Sequence, residues 1–397
     1  MTMKKRRPVN QFELSDIFRQ YDRQYIKEYR LQPGQYKVMS CIKNCRTAAL
    51  GGHREHCNNC GYEQNAYNSC RNRHCPKCQT LVKEKWLNNR KAELLPCSYF
   101  HNVFTLPHKL HPIMTYNKKF CLNILFSSVK ETLQAFASDP QWRLEGTLGF
   151  ISILHTWNQK LLEHFHLHCV IPGGVLSFNK KQWNPSKENF LFRTDSLAKE
   201  FKKRYLKKLQ EEYDNKKLIF VGKTDSLNTP EVFKNLIKKV SEQQWIVFSK
   251  KPFAGPEQVL EYLGRYTHRV AISNNRIKNI SDGNVTFSYR DRQDENKEKE
   301  LCIPATEFIN RFLKHVLPKG FMKIRYYGFL SPRNKKKIIP LLRSLIAPGV
   351  ELPEKLEETT SEMFLRLTGS QINCCPKCKI GTMIDIGDLS EEWEDTS

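Results

Sequence analysis

Residues 164–172 read His-Phe-His-Leu-His-Cys-Val-Ile-Pro, and this alternation of imidazole with apolar side chains fits a β-strand and little else. Residues two apart on a strand face the same side. His164, His166 and His168 therefore point one way, while Phe165, Leu167, Cys169 and Ile171 point into a core. A face carrying three imidazoles is not an ordinary solvent face. Histidine is the commonest side chain for a borderline divalent ion, and two at i, i+2 can share one ion. His155 closes the preceding apolar run, Phe150–Leu154, and falls opposite the start of the histidine strand if the two runs pair antiparallel. That makes His155 a third ligand beside His166 and His168, with His164 as its rival or as a neighbour that orients the site.

The rest of the chain supplies a sheet for that strand. Short apolar segments and helical stretches occupy 99–105, 119–137, 150–155, 164–172, 201–213, 218–221, 245–249 and 257–272, a mixed α/β (α+β) pattern. A hairpin is expected at Asp282-Gly283-Asn284, with 285–289 as its second strand. Residues 11–38 have helical periodicity broken at Pro33-Gly34. After Pro348 the chain turns acidic, and from Asp385 onward it is expected to be a flexible tail. Three units result: 1–95, a helix with a cysteine-rich domain; 96–347, the histidine-bearing domain; and 348–397, a C-terminal tail with a partial knuckle.

Lysine and arginine outnumber aspartate and glutamate by 65 to 41, a net charge of +24, which points to a polyanionic partner such as nucleic acid. No run of about 20 apolar residues and no signal-like N-terminus is present, so a cytosolic protein with no membrane partner is expected. In a reducing compartment clustered cysteines read as metal sites, and seven of the fourteen fall between Cys41 and Cys78. Cys57-x2-Cys60 and Cys75-x2-Cys78 have the spacing of a four-thiolate Zn²⁺ ribbon. Cys45, His53, Cys70 and His74 are enough for a second site or for an exchange of ligands with the first. Cys374, Cys375 and Cys378 form half a knuckle that has no local partner: it borrows ligands from elsewhere, pairs across a dimer or binds nothing.

Gly255-Pro256-Glu257 reads as a helix start. On the helix that follows, Leu260, Leu263, Thr267 and Val270 form an inward stripe, and Tyr262, Tyr266 and Arg269 share another. Residues four apart lie about 6 Å apart along the axis, so both hydroxyls can address one site in turn. Arg265, His268 and Arg269 are placed to hold phosphate oxygens. Beside a histidine-bound ion, a tyrosine of this kind can cut DNA and stay attached to it.

Several long motifs in one order resemble the rolling-circle insertion-sequence transposases of the HUH endonuclease superfamily. They are Cys45-Arg-Thr-Ala-Ala-Leu-Gly-Gly-His53, Tyr67–Cys78, Phe104-Thr-Leu-Pro-His108, Leu154-His-Thr-Trp157, His164–Gly174, Tyr262–Ser273 and Tyr327-Gly-Phe-Leu-Ser331. The resemblance implies a central antiparallel sheet with packed helices, preceded by a small zinc-binding domain, and a cytoplasmic protein that associates with the nucleoid. It implies His166 and His168 as the metal pair, with Mg²⁺ or Mn²⁺, and Tyr262 and Tyr266 as nucleophiles. The expected partners are single-stranded or hairpin DNA at element ends and target DNA. Phe165 and Val175 stand where such proteins often carry proline and glycine. A plasmid replication initiator or relaxase would share the chemistry, and a non-catalytic zinc-ribbon DNA-binding protein would share only the charge and the cysteines.

Overall fold

A computed structural model describes residues 12–253, 258, 259, 262, 264, 270–291, 293–352 and 354–389. Its centre is a five-stranded sheet in the order β13-β5-β6-β3-β9, antiparallel throughout. The strands are β3 (Tyr99–Thr105), β5 (Phe150–Trp157), β6 (Glu163–Pro172), β9 (Val247–Phe253) and β13 (Ile324–Tyr327). The histidine strand, β6, is the middle one.

Period-two alternation divides the sheet into two faces. On one, Phe104, Phe150, Leu154, Phe165, Leu167, Cys169 and Ile171 are buried against α4 (His111–Ser138) and α5 (Thr194–Asp214). Each such phenylalanine or leucine contributes about 1.5–3 kcal/mol of burial. Asn117 departs from helical geometry and kinks α4. Its amide holds both the N–H and the carbonyl of Ile219, at 2.7 Å each. This explains why 218–221 is not a strand despite its apolar sequence: Leu218 and Phe220 are core residues, but a side chain takes the backbone bonds that a neighbouring strand would supply.

The other face carries the histidines and, further along, Ile151, Ile153 and Val170. These pack with Val259, Tyr262, and Ile339 and Leu342 of a C-terminal helix. A second core joins α1 (Leu14–Glu28), α2 (Pro33–Lys43) and α6 (Ala305–Leu313) to the ribbon β10 (Ile277–Ser281), β11 (Asn284–Asp291) and β12 (Lys297–Pro304). Pro33 is the first residue of α2, where its missing N–H costs nothing, so it begins a helix, while the earlier one already ends at Glu28. Asp282 and Gly283, with φ of 50° and 75°, make the tight hairpin turn expected there. A small sheet of β4 (Gly146–Thr147), β7 (Gly174–Ser177) and β8 (Trp183–Pro185) flanks the core.

At the N-terminal side lie β1 (Gly52–Cys57), β2 (Glu63–Tyr67) and α3 (Gln79–Lys91). The acidic end is not all tail. Met383–Asp388 form β14, which pairs antiparallel with β1 from His53↔Asp388 to Cys57↔Met383. Among the described residues no helix is long and apolar enough to cross a membrane.

Candidate active site

The β5–β6 register sets His155 directly opposite His166. One ligand nitrogen from each of His155, His166 and His168 lies within 4.8 Å of the others, and all three residues are buried. His166 Nδ1 contacts the His164 carbonyl at 2.8 Å. The N–H therefore belongs on Nδ1 and the lone pair on Nε2, the tautomer a metal ligand needs. His164 stays at the strand entrance, its ring 4.7 Å from that of His166 and 5.8 Å from that of His108.

Tyr262 is buried over this face, with its hydroxyl 3.1 Å from His168 Nδ1 and in contact with His101 Nε2. His101 Nε2 is itself 2.9 Å from His168 Nδ1. Burial, with Lys250 nearby, lowers the His101 pKa to about 3, so its imidazole is neutral and can accept a hydrogen bond. Sequence reading overlooked His101. Its one signal is parity: Val103 pairs with His168 and His101 with Val170, which places His101 on the histidine face. Tyr266 and Arg269, expected on the same helix, lie outside the described residues.

The helix bearing Tyr262 rests on α3. A Cβ at Gly264 would stand 2.9 Å from Leu87 Cδ1, so the helix passes close to α3 here and a larger residue would displace the Leu87 side chain. At its other side α3 is tied to the sheet, where Trp86 Nε1 and Arg90 Nη1 both donate to the Tyr326 hydroxyl, at 3.0 and 2.6 Å.

The eight clustered thiols group differently from the expectation. Cys45, Cys70, Cys75 and Cys78 form one tetrad, and Cys57, Cys60, Cys375 and Cys378 the other. The pairing of β14 with β1 is the reason: it delivers the C-terminal knuckle to Cys57, so Cys57 and Cys60 do not join Cys75 and Cys78. Gly381 passes where a Cβ would sit 2.4 Å from Cys57 Sγ. Neither His53 nor His74 belongs to a tetrad. His53 pairs with Glu55 at 3.1 Å, and burial lowers His74 to about 3. Sulfur separations include Cys45–Cys78 at 3.6 Å and Cys75–Cys45, Cys70–Cys78, Cys57–Cys378 and Cys60–Cys375 at 3.7 Å, and all lie within 4.8 Å in each tetrad. A tetrahedron with Zn–S of ~2.3 Å has an edge of ~3.8 Å, so both tetrads fit Zn²⁺.

A sheet with a buried imidazole cluster, joined to four-thiol tetrads on a strongly basic chain, defines a metal-binding protein that acts on nucleic acid. Residues 149–337 match the family model described as "Putative transposase", and residues 17–106 match that of the "Transposase zinc-binding domain". A "Putative transposase" of Sinorhizobium fredii is 44% identical over 94% of this chain and 94% of its own length. The "Transposase for insertion sequence element IS801" of Pseudomonas savastanoi pv. phaseolicola is 26% identical over 79% of this chain and 75% of its own. No solved structure matches significantly. The chain belongs to the zinc-bearing transposase family of the IS91/IS801 type, a family of enzymes that cut DNA.

Proposed function

We propose that this transposase nicks and rejoins single-stranded DNA at insertion-sequence ends through a 5′-phosphotyrosine, in the manner of an HUH endonuclease. The observation that carries this reading is the Tyr262 hydroxyl 3.1 Å from His168, at the edge of the His155–His166–His168 cluster. His155, His166 and His168 would hold a divalent ion, Mg²⁺ or Mn²⁺, and a donor set of imidazoles favours Mn²⁺ over the oxygen-seeking Mg²⁺. When bound, that ion supplies charge stabilisation at the scissile phosphate and the leaving oxygen.

The chain's own groups arrange the nucleophile. His168 Nδ1–H donates to the Tyr262 oxygen, and the tyrosine O–H points at neutral His101 Nε2. Neutral His101 Nε2 orients the hydroxyl by accepting its hydrogen bond, and as the tyrosine oxygen bonds to phosphorus its proton passes to solvent. The P–O3′ bond breaks, and the leaving oxygen takes a proton from solvent to become a 3′-hydroxyl. The phosphodiester energy stays in the tyrosine link, so rejoining needs no nucleotide. Tyr266 would act as the second nucleophile, and Arg269 would hold phosphate oxygens. The two Zn²⁺ tetrads would brace the part of the protein that grips element-end DNA, in hairpin or single-stranded form, and the target.

The test is incubation with single-stranded DNA and Mn²⁺, followed by denaturing electrophoresis. Wild type should give a protein–DNA adduct, and His166→Ala with His168→Ala should give none while still binding DNA. Adduct formation by that double variant would sink the metal assignment.

A further inference from the structure

The histidine face of the sheet continues past the histidines onto its edge strand. Trp245 and Val247 turn into the main core, so Ile246, Phe248 and Lys250 stand on the opposite side. The register fixes where they stand. Phe248 pairs with Val103, which pairs with His168, and Lys250 pairs with His101. With adjacent strands ~4.8 Å apart, the backbone of Phe248 lies about 10 Å from that of His168. The same face is buried at the histidines and open at the edge, where Ile246 is 65% and Phe248 52% exposed. Lys250 is exposed as well. An open, apolar edge strand invites aggregation, so an aromatic kept there calls for an occupant.

We propose that Phe248, flanked by Ile246, is a stacking platform for one unpaired nucleobase next to the scissile phosphate, with Lys250 meeting a backbone phosphate. This placement rests on the transesterification reading, which puts the scissile phosphate at the histidines. Three features favour a nucleobase over an apolar protein partner. Phe248 offers an exposed aromatic ring, a lysine follows two residues on along the same face, and the net charge of +24 draws a polyanion. Base faces are covered in a duplex and open in a single strand, so the platform selects single-stranded DNA. Stacking tolerates any base, because every base has a π-face.

The test measures binding of fluorescent oligo-dT of about 20 nucleotides, of an all-abasic strand of equal length and of duplex DNA, with no added divalent ion. Phe248→Ala should weaken oligo-dT binding by roughly 5- to 100-fold and leave the abasic strand and the duplex unaffected. Phe248→Trp should retain the binding, and Lys250→Ala should weaken oligo-dT and abasic strand alike. Equal oligo-dT binding by Phe248→Ala and wild type would overturn the proposal, as would an equal loss on the abasic strand. Because Phe248 is exposed, circular dichroism of the variant should match wild type. Wild type is also assayed for the adduct with Mn²⁺. Absence of adduct counts against the transesterification reading, whereas a normal adduct with unaltered Phe248→Ala binding counts against the platform alone.

Discussion

Each imidazole at the site has two nitrogens, and their allocation decides what the cluster can do. His166 gives Nδ1 to a carbonyl of its own strand, and His168 gives Nδ1 to Tyr262 and His101. On the proposed mechanism His101 supports the nucleophile Tyr262, and it is not among the three clustered imidazoles. Replacing it with alanine should slow adduct formation about 10- to 100-fold while single-strand binding holds, a comparison of single-turnover rates with a binding isotherm. An unchanged rate would remove His101 from the mechanism. A different buried histidine sets an acid limit on stability. Burial lowers His315 to about 3 from 6.5, and its ring nitrogens meet Thr156 Oγ1 and the Leu161 carbonyl. The unfolded chain therefore binds a proton at this residue that the folded chain refuses. The stability this gives is complete above about pH 6.5 and is lost progressively as pH falls toward 3. His315→Gln should flatten that part of a melting-temperature profile, and an unaltered slope would exclude His315. His155, His166 and His168 were legible because alternation announces a face. His101 was not: a single histidine in an apolar strand reads as core until its register with β6 is known.

Elements carry Tyr262, the proposed nucleophile, to this cluster. The helix of Tyr262 is seated by α3, whose N-cap is the tetrad cysteine Cys78 and whose Leu87 touches Gly264. A leucine at 264 crowds the Leu87 and Lys83 side chains and is expected to shift the helix and move the hydroxyl away from His168. Gly264→Leu should therefore cut the rate of adduct formation by about tenfold or more, and leave DNA binding intact. Adding Leu87→Ala should restore part of the rate. No rescue would mean that the loss is not a matter of this contact. Glycine at 264 could not be weighted from the sequence, because helix-to-helix approach depends on the partner helix. The apolar segment 218–221 misled for a related reason: periodicity reports burial, and only the tertiary fold reveals that Asn117 satisfies its backbone.

On the scale of the whole molecule, the second tetrad joins the two ends of the chain. Cys60 and Cys375 are 315 residues apart in sequence, and their sulfurs are 3.7 Å apart. Two Cys-x2-Cys pairs close together in sequence suggested one ribbon, whereas the β1–β14 pairing sends each to a different partner. Spacing showed that thiolate sites exist, but not which knuckles meet. Elemental analysis should find two zinc ions per chain in wild type. Cys375→Ser should retain one and melt at lower temperature, because metal-binding energy is folding energy. His53→Ala should retain two. One zinc in His53→Ala, or two in Cys375→Ser, would contradict the grouping. The sheet order with β6 at its centre was within reach of the sequence and its family resemblance, whereas the return of the C-terminus to β1 was not.

On the proposed mechanism Tyr262, held by His168 and His101, becomes covalently joined to DNA. The direct measurement is mass spectrometry of the peptide carrying the nucleotide after wild-type protein has reacted with single-stranded DNA and Mn²⁺. A 5′-phosphate on Tyr262 is expected, with Tyr262→Phe shifting any remaining adduct to Tyr266. An adduct on another residue, or one formed undiminished when both tyrosines are phenylalanine, would contradict it.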